Sequence, residues 1–286
     1  MKKFDEFILN EQLKESERLY EKLVTFGGKA YPKFGNVVIL AGGAGSGKGF
    51  IKDNLLGIEG WVFDVDKLKE LAIKAPKFRE LVKEKTGKDL SKVNLKNPQD
   101  VADIHYIVND IFGVDEKKLS LLYSSIFVSD PSRKPNIIFD VTLKDLRKLQ
   151  KLTDFSKKLG YESENIHIVW VVNDVEVAKK QNISRDRVVP EEILVNTHRG
   201  ASATMADIIN MGAKLGKYMN GDLVFVFSKA GVDGKYVTSK HGGGYLEDIN
   251  YVFIKKSGKP VKKMSQISRE VIMKIKEYTP GGDMWK

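Results

Sequence analysis

No cysteine occurs among the 286 residues. Disulfide frameworks and thiolate metal sites are therefore excluded, and a reducing compartment, the cytoplasm, is the expected location. Histidine is nearly as scarce, with four residues, His105, His167, His198 and His241. No two of them have zinc-site spacing, which argues against a His-based metal centre. No apolar run approaches the roughly 18 residues of a membrane span, so no membrane partner is expected. The opening Met1-Lys2-Lys3-Phe4-Asp5-Glu6 turns acidic without an apolar core, so no signal peptide is expected. Internal repeats and low-complexity runs are absent as well.

What is present is an ordinary globular composition, 42% apolar and 30% charged, with a formal net charge of +10. The apolar fraction excludes global disorder. The positive balance favours an anionic partner such as a nucleotide or nucleic acid. From Lys214 to Lys286 there are 14 basic and 7 acidic residues, so +7 of the +10 lies in the last quarter.

Short buried-type strands alternate with helical stretches. Val37–Ala41, Trp61–Phe63, Asn136–Phe139 and Ile166–Val172 read as strands. Helices are expected over 5–26, 51–56, 67–85, 99–128 with a break near Gly113, 144–158, from Asn173 or Asp174 to Ser184, and 207–218. That alternation predicts an α/β fold, a parallel sheet with helices on both faces. From Leu223 the pattern changes. Leu223–Phe227 and Tyr251–Ile254 have no helix between them, which predicts a small antiparallel piece closed by a helix over 265–278. The expected organisation is an N-terminal helix within 1–34, a main domain over 35–212 and a basic extension over 213–286.

The sharpest local signal is Gly42-Gly43-Ala44-Gly45-Ser46-Gly47-Lys48-Gly49-Phe50, between strand Val37–Ala41 and a helix. The spacing Gly-x-x-x-x-Gly-Lys is that of a phosphate-binding loop. Its glycines let backbone N–H groups turn toward phosphate oxygens, the following helix contributes its positive end, and Lys48 supplies an ammonium. ATP is the expected nucleotide. The residue after the lysine is normally Ser or Thr, whose hydroxyl holds Mg²⁺. Here it is Gly49, so the metal falls to water or to carboxylates. A loop that binds nucleotide without turning it over is the competing reading.

Asp64, Asp66 and Asp140 each follow a strand. In an open parallel sheet, ligands bind beyond those strand ends, so the three should converge on the loop. A lone Asp there commonly caps the next helix. Asp64-Val65-Asp66 is harder to explain that way, because two like charges side by side are costly without a shared cation. Asp64 and Asp140 are the candidate metal ligands. Arg185 and Arg187, after the fourth strand and its helix, are placed to close over a triphosphate and balance its charge. Solvated salt-bridging is the alternative for these arginines. His198 with Arg199 is a weaker anion-contact candidate.

Together these stretches resemble the P-loop kinases that include zeta toxins and polynucleotide kinases, over about residues 36–212. The resemblance is carried by the loop Gly42–Lys48, by Phe63-Asp64-Val65-Asp66-Lys67-Leu68-Lys69, by Ile137–Thr142, by Leu159-Gly160-Tyr161 and by Ala178–Pro190. It implies a P-loop NTPase-type sheet and transfer of the ATP γ-phosphate to a hydroxyl of a nucleotide, polynucleotide end or sugar nucleotide. In that likeness Asp66 is the base that activates the hydroxyl, Asp140 faces acceptor and metal, and Arg185 and Arg187 are lid contacts. Gln181 stands where such kinases often carry Arg.

The extension mixes lysines (Lys229, Lys235, Lys240, Lys255, Lys256, Lys259, Lys262, Lys263) with Tyr236, Tyr245 and Tyr251. Such a surface can bind nucleic acid. A solvated lysine-rich strand edge that resists aggregation is the simpler account.

Overall fold

The computed structural model describes residues 34–54, 56, 58–127, 129–227, 236–238, 244–246 and 250–285. The helix expected over 5–26 lies outside the described residues, as do Lys229, Lys235, Lys240 and His241.

The centre is a six-stranded sheet. Its strands are β1 (Val37–Ala41), β2 (Trp61–Asp64), β3 (Ile137–Val141), β4 (Ile166–Val172), β5 (Leu223–Phe227) and β8 (Asn250–Lys255), in the order β2-β3-β1-β4-β5-β8. The first five are mutually parallel and β8 runs antiparallel to β5. A separate pair, β6 (Tyr236–Thr238) with β7 (Gly244–Leu246), is antiparallel. This is the expected α/β arrangement, a mostly parallel sheet with the loop-bearing strand β1 in the middle.

Position in the sheet explains composition. Strands β1, β4 and β5 are buried along their whole length and are apolar throughout except for His167 in β4, because helices cover both faces. β2 is an edge strand and leaves Trp61 and Val62 exposed. One core cluster, around Ile39, Phe139, Trp170 and Phe225, fills one face. A second, around Leu40, Ile138, Val169 and Val226, fills the other. The expected boundary near residue 213 meets a sheet that runs across it, since β5 and β8 complete the same sheet as β1.

The helices are α1 (Lys48–Asn54), α2 (Val65–Lys74), α3 (Pro76–Thr86), α4 (Pro98–His105), α5 (Val114–Phe127), α6 (Leu146–Lys158), α7 (Val175–Ser184), α8 (Glu191–Asn210) and α9 (Arg269–Tyr278). The single helix expected over 67–85 is two, divided at Ala75. Pro76 cannot continue a helix but suits a first helical position. The stretch 99–128 breaks where expected: α4 passes into a π-helical turn, Tyr106–Ile111, and Gly113 turns the chain at φ 57°. A third apolar cluster, including Val82, Ile104, Val108 and Phe112, makes the helices between β2 and β3 a packed insert.

The largest difference from expectation is α8. Only 207–218 is expected as helix in this stretch, yet α8 runs for 20 residues from Glu191. Its middle, Gly200-Ala201-Ser202-Ala203-Thr204, carries small residues rather than an apolar stripe, so the helical period is faint. Closeness explains the small residues: a Cβ on Gly200 would lie 2.7 Å from the Cβ of Lys144.

Candidate functional site

The loop Gly42–Lys48 leaves the carboxyl end of β1 and enters α1. Positive φ values at Gly42 (151°), Gly45 (74°) and Gly47 (91°) are conformations that side chains disfavour. The loop lies against its neighbours as well. A Cβ on Gly45 would stand 2.9 Å from the Ala178 carbonyl of α7. A Cβ on Gly43 would stand 2.1 Å from the His198 ring of α8.

Beyond the strand ends opens a cleft of about 780 Å³. Ala44 to Gly49 form one wall. Register pairs Asp64 with Asp140 across β2 and β3, and both carboxylates line the cleft. The Lys48 ammonium reaches over the loop. It donates to the carbonyls of Gly42 (2.9 Å) and Gly43 (3.2 Å) and lies 3.8 Å from Asp140 Oδ1. Lys48, Lys52, Lys69, Lys144, Lys148 and Arg185 line this cleft, against the carboxylates Asp64, Asp140 and Asp145. The excess of cations suits a polyanionic ligand.

The other expected residues fall as follows. Asp66 is in the first turn of α2, directly after β2, and its side chain lies outside the described residues. Gly42 and Gly43 form the back of the loop rather than the cleft wall. Phe50 is 45% exposed and does not line the cleft. Arg185 lines it. Arg187 does not: it is buried in a narrow gap with Lys69, Glu70, Ile73, Leu95, Val101 and Ile104. The segment between them is held to the insert and to α7. Val188 N–H donates to the Leu95 carbonyl (2.9 Å), and Asn182 bonds both the N–H and the carbonyl of Val189 (3.0 and 2.7 Å). Gln181 lines the cleft. Of the tail lysines, Lys255 is buried, donating to the Asn220 carbonyl and Oδ1 at 2.9 Å.

Several cleft residues carried no sequence signal. Lys69, His105 and Asn109 come from the insert, with Lys69 Nζ 2.6 Å from His105 Nδ1. Lys144 and Lys148 follow β3, where Leu143 turns the chain at φ 50°, an uncommon conformation for a non-glycine residue. Thr197 of α8 also lines the cleft, while its neighbour His198, expected as an anion contact, packs against the loop. His198 is 3% exposed, and its Nε2 lies 2.8 Å from the Ala44 carbonyl. Its ring bonds the loop backbone, which replaces the anion contact expected of it. Burial lowers its pKa and nearby Lys48 lowers it further, while the bond to Ala44 opposes both.

The donors for Mg²⁺ can be weighed directly. Among the described residues no group of three or more His, Cys, Asp or Glu could hold a metal ion. Mg²⁺ ordinarily takes one or two carboxylates and completes its shell with phosphate oxygens and water. Asp64 and Asp140 fit that requirement, and Gly49 adds no oxygen. The residues therefore suit an ion that arrives with a nucleotide.

No protein-family model and no curated protein matches the chain. Among solved structures it is similar to one from the PezAT chromosomal toxin-antitoxin system of the human pathogen Streptococcus pneumoniae. The identity is 15%, over 74% of this chain and 75% of that one, with a TM-score of 0.40. It is also similar to the AvrRxo1-ORF1:AvrRxo1-ORF2 structure with sulphate ions, at 13% identity over 95% and 80% of the two chains and a TM-score of 0.41. An AvrRxo1-ORF1:-ORF2 structure with ATP matches at 12% identity, over 95% and 80%, with a TM-score of 0.41. No described helix is long and apolar enough to cross a membrane.

Proposed function

We propose that this protein is an ATP-dependent phosphotransferase that moves the γ-phosphoryl group to a hydroxyl of a nucleotide, a polynucleotide end or a sugar nucleotide. One observation carries the reading: a glycine loop with its lysine and two strand-end carboxylates, Asp64 and Asp140, face one cation-rich cleft.

In this reading the N–H groups of the loop and the N-terminus of α1 bind the phosphates, and the Lys48 ammonium turns from the loop carbonyls to the β- and γ-phosphate oxygens. The acceptor oxygen bonds to the γ-phosphorus as the bond to the bridging oxygen breaks, and ADP leaves. The acceptor proton passes to a carboxylate, for which Asp66 at the start of α2 is the candidate. Arg185 balances the charge that spreads over the transferred group. Magnesium carried in with ATP would be held by Asp64 and Asp140 and would neutralise phosphate charge.

Gly49 favours a second reading, a nucleotide-binding module without turnover, because the hydroxyl that usually holds the metal is missing. One experiment separates the two. The protein is incubated with Mg²⁺ and γ-labelled ATP, and RNA ends, nucleotides and sugar nucleotides are offered as acceptors. Transfer that Lys48→Ala and Asp66→Asn both abolish is the expected result. Tight ATP binding with transfer to none of the acceptors overturns the kinase reading in favour of the second.

A further inference from the structure

The geometry points to Thr197 and His198 of α8 as positioning residues that set the pose of the phosphate loop by gripping both sides of Ala44. This assignment rests on the phosphotransferase reading for its purpose, but its geometry stands apart from it.

Ala44 N–H donates to Thr197 Oγ1 at 3.0 Å, and that hydroxyl spends its own proton on the Leu194 carbonyl at 2.7 Å. The Ala44 carbonyl faces His198 Nε2 at 2.8 Å. A carbonyl only accepts, so His198 bonds as the donor, and when neutral it is the Nε2–H tautomer. These contacts join residues 153 and 154 positions apart.

A trans peptide puts its C=O and N–H on opposite sides of one plane. Anchoring Ala44 N–H on Thr197 turns the Gly43 carbonyl the other way, where it accepts from Lys48 Nζ at 3.2 Å and from Ser46 N–H at 3.2 Å. Anchoring the Ala44 carbonyl on His198 turns Gly45 N–H to the opposite side of that peptide plane, away from the imidazole. Two neighbouring planes are thus oriented by one helix. The oriented groups are those a phosphate loop uses: a backbone N–H and the seat of its lysine. His198 also occupies the space a Cβ on Gly43 would need, so Gly43 serves the approach of the helix.

Preorganised donors are worth most when no reorganisation is required on binding. Removing either grip leaves a buried polar group unpaired and lets the peptide rotate, which weakens nucleotide binding about tenfold per bond.

The test uses the full chain and ATP as the probe. His198→Phe keeps the ring and removes the donor, while His198→Gln returns an N–H near the Nε2 position. Thr197→Val removes the acceptor oxygen, while Thr197→Ser keeps it. Two readouts are taken: the Kd for ATP by calorimetry, and hydrogen exchange of loop amides 42–48 in the free protein. Expected are a weaker Kd and faster loop exchange in His198→Phe and Thr197→Val, with His198→Gln and Thr197→Ser close to wild type. In steady-state assays the KM for ATP rises more than kcat falls. Unchanged exchange and Kd in both disruptive variants, or failure of both conservative variants to restore them, overturns the assignment. If His198→Phe does not fold, the Thr197 pair decides alone. If wild type binds no ATP, the phosphotransferase reading fails, while loop exchange still decides whether α8 holds the loop.

Discussion

Trp285, next to last in the chain, stacks on Trp170 of β4 with ring centroids 5.7 Å apart and planes 8° from parallel. Phe225 of β5 meets both rings edge-on. The Trp285 indole N–H donates to Ser202 Oγ at 2.8 Å, and Ser202 pairs with Thr279. The end of the chain is therefore part of the sheet's core and is bonded to α8 one turn beyond His198.

Trp285→Ala is expected to lower unfolding stability by about 3–5 kcal/mol, as for other large aromatic-to-alanine changes in cores. It also removes the donor to Ser202 Oγ and leaves that oxygen beside a cavity. Urea unfolding followed by circular dichroism checks this. A loss below about 1 kcal/mol would mean that the terminus is not packed as described.

Lys48→Ala is expected to cut phosphoryl transfer by about 10²–10³-fold, the usual cost of removing one preorganised donor at a developing charge. Asp140→Asn should leave folding unchanged and weaken the Mg²⁺ dependence of ATP binding. Titrating Mg²⁺ at fixed ATP reads the second effect, and identical curves for variant and wild type would remove Asp140 from metal binding.

Gly49→Ser tests the departure in the loop. A Cβ at Gly49 meets nothing within 4 Å, and the residue needs no positive φ. The substitution should stabilise α1 by about 0.5 kcal/mol through helix propensity. It should also supply the missing hydroxyl, tightening ATP binding in Mg²⁺ and not in EDTA. Equal tightening under both conditions would point to propensity alone.

Gly43→Ala and His198→Ala should not add. Alone, Gly43→Ala drives a methyl into the imidazole; with His198→Ala the space is free. The double-mutant cycle is expected to show coupling of about 0.5–3 kcal/mol. Additive losses in thermal unfolding would contradict the contact.

The pH dependence of stability follows from the same histidine. Burial, aided by Lys48, holds the His198 pKa below its ordinary 6.5 in the folded protein. The unfolded chain then binds the proton more readily, so this contribution is fully present above 6.5 and is lost as the pH falls through the lower folded value. Wild-type Tm should drop more steeply than that of His198→Gln as the pH is lowered from 6.5. Parallel curves would refute it.

What the sequence determined by itself is local. Glycines at Gly42, Gly45 and Gly47 announce a loop with positive φ, and Lys48 one step on completes the phosphate-loop spacing. The apolar run Val37–Ala41 and the run Ile166–Val172, interrupted only by His167, announce strands buried on both faces, and strand ends place Asp64 and Asp140. These features depend on neighbours a few residues away, so spacing suffices to read them. The tertiary structure alone decided the rest. It separated Arg185 from Arg187, which share a short segment yet face different surroundings. It brought Lys69, His105 and Asn109 from the insert into the cleft. It set Thr197 and His198 against Ala44 across more than 150 residues. It made β5 and β8 the completion of the central sheet. Such contacts are chosen by how faces pack when the chain closes on itself, and no periodicity within a single segment encodes them.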